Sequence, residues 1–126
     1  MKKIFLLILL LVVGFSNVNG QTYTGMEFDD NGKPKSIKTY KMSKGKLVLA
    51  NEIGWHENGQ KEIEGKYKDG EKDGRWTSWW QHGQKQEEGA FKNGKKDGLW
   101  TGRRPNGPIA VEKIYRDGEL IDYKDD

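Results

Sequence analysis

Two consecutive stretches decide the fold: WHENGQKEIEGKYKDGEKDGRWTS at residues 55–78 and WWQHGQKQEEGAFKNGKKDGLWTG at residues 79–102. They align without a gap and are identical at 13 of 24 positions. Self-similarity at a fixed period is the signature of a repeat protein. We expect the recurring glycines and aromatic residues to serve the repeat itself. They are Trp55, Gly59, Gly65, Tyr67, Gly70, Gly74 and Trp76 in the first copy, and Trp79, Gly83, Gly89, Phe91, Gly94, Gly98 and Trp100 in the second.

Weaker copies of the unit flank this pair. Residues 103–126 continue the same register, and Asn106-Gly107 and Asp117-Gly118 fall where the central copies have their turns. Upstream, FDDNG at residues 28–32 resembles WHENG at residues 55–59. About four units therefore fill residues 21–126, and the outer copies are expected to be degenerate because terminal repeats cap the stack.

Each unit predicts a β-hairpin. Asn58-Gly59 and Asp69-Gly70 are dipeptides typical of two-residue type I′ turns, in which both residues need positive φ. We interpret Asp73-Gly74 and Asp97-Gly98 as turn residues as well. Between the turns, the alternation puts Ile63, Gly65 and Tyr67 on one face of a strand. The sequence therefore predicts an all-β fold, an elongated meander of tandem hairpins that forms a single sheet or an open solenoid.

Two features of the repeat concern packing. Gly65 and Gly89 lie inside predicted strands, where a glycine leaves room for a neighbouring strand's aromatic ring to lie across it. Trp76 and Trp79 are separated by an odd number of residues, which would put them on opposite faces of a straight strand. Either a β-bulge intervenes, or both faces of the sheet are partly covered.

The first twenty residues resemble a secretory signal peptide. Lys2 and Lys3 precede the apolar run IFLLILLLVV, and a more polar stretch ends at Gly20. The run is too short to span a membrane, so we expect cleavage after Gly20 and export to the periplasm or the exterior of a bacterium. Cleavage leaves 106 residues, one domain, with 20 cations against 19 acids. Such a near-neutral chain argues against nucleic acid as a partner.

The motif positions resemble the MORN-repeat variant, found in bacterial proteins grouped as YwqK-like antitoxins. The resemblance covers most of residues 21–126 and is strongest over residues 55–101. It implies an elongated stack of β-hairpins without catalytic residues, which serves as a spacer or as a binding surface. An antitoxin or immunity role that neutralises a partner toxin is the alternative that the resemblance offers.

Nothing in the sequence predicts an enzyme, a metal site or a cofactor. His56 and His82 occupy different repeat positions and match no metal-binding spacing. Glu64 and Glu88 recur with the unit, so they serve the repeat rather than one cleft. The chain also contains no Cys. We therefore expect an exported, non-catalytic scaffold that binds a protein or a component of the cell envelope.

Four residues are candidates for partner contact: Trp80, His82, Lys95 and Lys96. Trp80 is aromatic although neither of its repeat counterparts is, so it is free to be selected for binding. The alternative is that it packs against Trp76 or Trp100. His82 lies beside it on the same rim, and Lys95 and Lys96 follow the most basic turn. An anionic lipid or a glycan stays open as a partner, and the oligomeric state stays open as well.

Overall fold

The computed structural model describes residues 22–126 and the backbone of residues 9–11. The rest of the predicted signal peptide, with its cleavage site, lies outside the described residues. The strands are β1 (Leu9–Leu11), β2 (Thr22–Phe28), β3 (Pro34–Ser43), β4 (Lys46–Trp55), β5 (Lys61–Lys68), β6 (Glu71–Trp79), β7 (Lys85–Lys92), β8 (Lys95–Arg103), β9 (Ile109–Arg116) and β10 (Glu119–Asp125).

All ten strands form one antiparallel sheet whose spatial order is the order of the chain. The predicted meander of hairpins is thereby confirmed, as one open sheet. The described residues include no helix that is long and apolar enough to cross a membrane. Consecutive turns of a meander lie at alternate ends of the strands. Each of the two sheet edges formed by the strand ends therefore carries every second turn. The two edges differ in the length of their turns.

Two-residue turns line one edge, which we call the narrow-turn edge. Both residues have positive φ in Asp69-Gly70, Asn93-Gly94 and Asp117-Gly118, as a type I′ turn requires. Lys44-Gly45 makes the same turn in the first unit, although lysine does not signal it. The turn of the second central unit is tied to its predecessor, since Gly94 N donates to Lys72 O over 2.9 Å.

Longer turns line the opposite end of the strands, which we call the wide-turn edge, and here the structure contradicts a prediction. Asn58-Gly59 and Asn106-Gly107 are not two-residue turns, because only their glycines have positive φ. They belong to longer turns at residues 29–33, 56–60, 80–84 and 104–108, each closed by a backbone hydrogen bond from the first residue to the last. Asparagine here accepts from the backbone: Gln60 N donates to Asn58 Oδ1 over 3.1 Å. The same dipeptide therefore serves two turn geometries.

The prediction that Asp73-Gly74 and Asp97-Gly98 form turns is also wrong. Both pairs lie inside strands, β6 and β8, and Gly74 (φ 78°) and Gly98 (φ 75°) form β-bulges there. Across the first bulge, Gly65 pairs with Trp76 but Tyr67 pairs with Lys72, so three residues of β6 face one residue of β5. A positive-φ glycine allows the extra residues to fit without ending the strand.

The buried core is small and aromatic. Among the described side chains only Ala50, Trp76, Trp100 and Ser36 are buried. Trp76 packs edge-on between Tyr67 and Phe91, with ring centroids 5.2 and 6.0 Å away, and Phe91 meets Trp100 at 5.0 Å. Each indole nitrogen donates to a strand carbonyl, Trp76 to Lys66 O and Trp100 to Ala90 O, both over 3.0 Å. We call the side that carries these rings the aromatic face.

Trp76 and Trp79 lie on opposite sides of the sheet. Trp79 carries Lys61 over its ring at 5.1 Å and is not among the rings that Trp76 contacts. A register shift does occur beside Trp79, but the additional residue, Gln86, belongs to β7 and leaves the alternation of β6 unchanged. Both faces are therefore covered, the second by charged side chains around Trp79 and Glu88. We call this side the ionic face.

Candidate functional site

The four predicted contact residues do not come together. Trp80 and His82 lie in a wide turn, whereas Lys95 and Lys96 begin β8 at the narrow-turn edge. Strand β7, of eight residues, separates the two edges. At a rise of about 3.3 Å per residue, the two pairs are about 25 Å apart. They cannot form one compact site.

Trp80 has a structural partner that its sequence did not reveal. Its indole nitrogen donates to Arg103 O over 3.3 Å, in the strand that leads into the next wide turn. At the equivalent position of the preceding unit, His56 Nε2 donates to Trp79 O over 2.8 Å. Arg104 continues the series through a hydrogen bond to Asp126 O. Three of the four wide turns thus carry a side-chain nitrogen donor at this position, whereas the first carries Asp29, which accepts from Asn31 N and Lys33 N.

His82 takes part in the same ladder of turns. Its Nε2 lies 2.5 Å from Pro105 O, and because a carbonyl only accepts, Nε2 carries the proton. Asn58 makes the equivalent contact one unit earlier, from Nδ2 to Gln81 O over 2.6 Å. His82 is exposed and Trp80 is half-buried. Partner contact by these two residues stays a prediction, but both also join consecutive turns.

Lys95 and Lys96 point to different surroundings. Lys95 is exposed, and its side chain lies against the turn glycine Gly118. Lys96 Nζ donates to Glu87 over 3.0 Å and lies 4.0 Å from the centroid of the Trp100 ring. Lys72 covers Trp76 in the same way at 4.2 Å. These lysines close the aromatic face above its two tryptophans, which are only 3% and 4% exposed.

Tyr67 is the most strongly perturbed titratable group of the aromatic face. Its hydroxyl donates to Glu52 Oε2 over 2.7 Å. Burial and this hydrogen bond to a carboxylate raise the pKa of the Tyr67 hydroxyl far above its usual value. The group therefore stays protonated throughout the physiological pH range and acts as a fixed donor between β4 and β5.

The ionic face is organised around Glu88, on β7. Three cations surround its carboxylate: Lys85 Nζ at 2.9 Å, Arg103 Nη2 at 3.9 Å, and Arg75, whose Nη2 donates to Oε2. Hydrogen bonds from Lys85 and Arg75 hold the pKa of Glu88 below its usual range. Among the described residues, the equivalent acid Glu64 forms an ion pair only with Lys61, at 2.8 Å. The cluster therefore forms around Glu88 and not around its repeat counterpart, with cations from three successive units.

Two shallow clefts adjoin this cluster. One, of about 600 Å³, runs from Asn51 past Gly65 to Trp79 and Lys85. The other, of about 380 Å³, lies between Glu88 and Leu99. Arg75 lines both clefts, and its side chain is 72% exposed. A guanidinium has five N–H donors in a planar fork, so most of them stay free to meet a ligand.

This arrangement suits binding better than catalysis. Glu88 is held ionised by three cations, which leaves it a poor general acid or base at neutral pH. The part of the chain that the structure describes contains no group of three or more His, Asp or Glu side chains placed to hold a metal ion. The clefts are open troughs over a flat sheet. They present charge, hydroxyl groups and one indole edge to a ligand.

Sequence reasoning did not single out Arg75 and Arg103. Arg75 aligns with Leu99 and Arg103 aligns with Trp55 and Trp79, so neither belongs to the repeat consensus. That departure was the available signal, the same one that drew attention to Trp80. The cluster around Glu88 was not predicted because its three cations are 10 to 28 positions apart in sequence. Only the register of β6, β7 and β8 brings them to one carboxylate.

Comparison with known proteins agrees with the geometry. A family model described as "MORN repeat variant" matches residues 24–42, 51–69 and 72–93. The matches end at residue 93, although the sheet continues to Asp125 with the same alternation of wide and narrow turns. No curated protein and no solved structure matches the chain. Residues 24–93 therefore carry three MORN-variant repeats.

Proposed function

We propose that this protein is an exported, non-catalytic binding module that engages a protein or a component of the cell envelope through an open face of its sheet. The observation that carries the proposal is the single-layer architecture. Only four described side chains are buried, so both faces of the sheet formed by residues 22–126 border solvent. A surface of this kind offers an extended contact area, which a repeat protein typically uses for binding.

The ionic face is the better candidate of the two. On the aromatic face, Lys72 and Lys96 lie over the rings and shield the apolar surface that a partner would need. On the ionic face, Arg75 and Lys85 are well exposed, with Trp79 beside them. Exposed arginine and tryptophan are the residue types that contribute most to binding at protein surfaces.

Export rests on the sequence of residues 1–20. Intact-mass measurement of the protein from its native host tests it, and the expected mass starts at Gln21, with or without cyclisation of that residue. A mass that still includes residues 1–20 would contradict the export part of the proposal.

Capture from an envelope fraction tests the binding part. The immobilised mature chain should retain a specific component, and Arg75→Glu should abolish the retention while Lys68→Glu, at the narrow-turn edge, should not. A chain that retains nothing, in a host whose deletion strain has a normal envelope, would contradict the proposal. Recovery of a toxin whose effect co-expression suppresses would favour the antitoxin alternative instead.

A further inference from the structure

The charges around Glu88 do not cancel. Lys85, Arg75 and Arg103 all lie within 4 Å of one carboxylate, so two positive charges remain uncompensated in the middle of the ionic face. Lys66 lines the adjoining cleft and forms no ion pair with any described residue. On the aromatic face, Lys96 pairs with Glu87 and Lys38 pairs with Glu27, and Lys72 lies over the ring of Trp76. Three cations gathered around one carboxylate make the centre of the ionic face a favourable place for an anionic ligand.

The attractive region is long and narrow. The two clefts that share Arg75 are lined by residues from Thr39 on β3 to Thr101 on β8, and so they cross six consecutive strands. Neighbouring strands are about 4.8 Å apart, so the run is about 24 Å long. It lies across the strands, and Trp79 and Lys85 bring one side of it next to the wide turn at residues 80–84. A linear polymer fits such a run better than a compact small molecule.

The chemistry of the surface distinguishes between linear polyanions. A peptide that binds a sheet in extended form usually pairs with an unpaired edge strand through its main chain. Strands β5 to β8 are paired on both sides, so a peptide on this face gains no such hydrogen bonds. The clefts instead present the hydroxyls of Thr77 and Thr101 and the indole of Trp79. Hydroxyl and aromatic groups beside cations suit an acidic sugar chain.

We propose that the ionic face between β3 and β8, centred on Arg75, binds a linear polysaccharide that carries carboxylates. The Arg75 guanidinium meets a sugar carboxylate as a two-pronged donor. Lys85 and Arg103 supply the remaining positive charge, and Trp79 lies against a sugar ring. This inference rests on the proposed function and specifies its ligand.

Titration calorimetry with an oligogalacturonate of about ten units tests the proposal on the mature protein. We expect saturable binding that weakens as salt is raised, because part of the attraction is electrostatic. Arg75→Gln should weaken binding about tenfold or more, since it removes a charge-assisted hydrogen bond. Lys92→Gln is the matched control: it removes one exposed positive charge at the narrow-turn edge and should change the affinity less than about twofold.

Neutral dextran and poly-glutamate are the comparison probes. Absence of oligogalacturonate binding, equal loss in both variants, or equal affinity for dextran would overturn the proposal. Poly-glutamate that binds as tightly as the sugar would overturn it too, in favour of an acidic peptide. If oligogalacturonate fails to bind but the envelope capture still recovers a component that Arg75→Glu releases, the polysaccharide inference fails and the proposed function stands.

Discussion

The ring of Trp76 lies directly on Gly65. A Cβ atom placed on Gly65 would be 2.1 Å from Cδ2 and from Cε2 of the indole, far inside van der Waals contact. The relationship recurs one unit later, where a Cβ on Gly89 would be 2.2 Å from Cδ2 of Trp100. Because these two indoles account for most of the buried apolar surface, each central unit depends on the absence of one side chain.

Gly65→Ala and Gly89→Ala should each strongly destabilise the protein. A single methyl must displace an indole whose nitrogen is hydrogen-bonded to the same strand, so we expect a loss of about 3 kcal/mol or more, at the upper end for overpacking. Gly25→Ala is the control, because its Cβ would meet Tyr40 at an ordinary 3.8 Å. Thermal melts compare the three variants. Equal melting temperatures would contradict the close contact of ring and glycine.

The bulge glycines make a separate prediction. A Cβ on Gly74 would meet no atom within 4 Å, so the only penalty there is the backbone conformation at φ 78°. Gly74→Ala should cost about 1–2 kcal/mol, and Gly74→Asn should cost less because asparagine tolerates this conformation. Denaturant titration measures both. If alanine and asparagine are equivalent, the strain at this bulge is not what selects glycine.

Trp80 should contribute to stability through its nitrogen. Trp80→Phe keeps an aromatic ring, although a smaller one, and removes the donor to Arg103 O, so we expect a loss of about 1 kcal/mol. Trp80→His should lose less, because His56 makes the equivalent bond in the preceding unit. Chemical denaturation of both variants gives the comparison. A histidine variant less stable than the phenylalanine variant would show that the ring, not the donor, matters at this position.

Glu88 should make part of the stability depend on pH. The pKa of Glu88 is lowered in the folded state, so ionised Glu88 stabilises the fold at pH values above its ordinary pKa of about 4.5, and this contribution is lost as pH falls through the lower folded pKa. The glutamine variant, Glu88→Gln, should therefore be less stable than the wild type at pH 7, and the gap should narrow towards pH 3. Denaturant titrations at the two pH values measure it. A gap independent of pH would rule out the ionic explanation.

The architecture was predictable because each unit repeats its own local signals. Alternation, the Asp-Gly and Asn-Gly turns and the in-strand glycines all indicate a hairpin meander, and the contact of Trp76 with Gly65 confirms the expectation that a ring covers the glycine. The bulge at Gly74 was not predictable in the same way. Asp-Gly signals a change of backbone direction but does not say whether the chain reverses or bulges, since both need the same positive φ.

The candidate site was harder to predict because it is built from exceptions to the repeat. Trp80 departs from its counterparts in ring type, yet it keeps the hydrogen-bond donor that His56 and Arg104 provide. Arg75 departs from its counterpart Leu99 in charge. The role of Arg75 follows only from the cross-strand register, which brings its guanidinium to Glu88.

The indole N–H signals of the five tryptophans test the central claim most directly. Trp76 and Trp100 report on the aromatic face, Trp80 on the wide-turn edge, and Trp79 on the ionic face beside Arg75. We would titrate the nitrogen-15-labelled mature chain with the envelope component that the capture recovers. The account predicts that the Trp79 signal shifts while those of Trp76 and Trp100 stay in place. A shift confined to Trp80, or to Trp76 and Trp100, would contradict it.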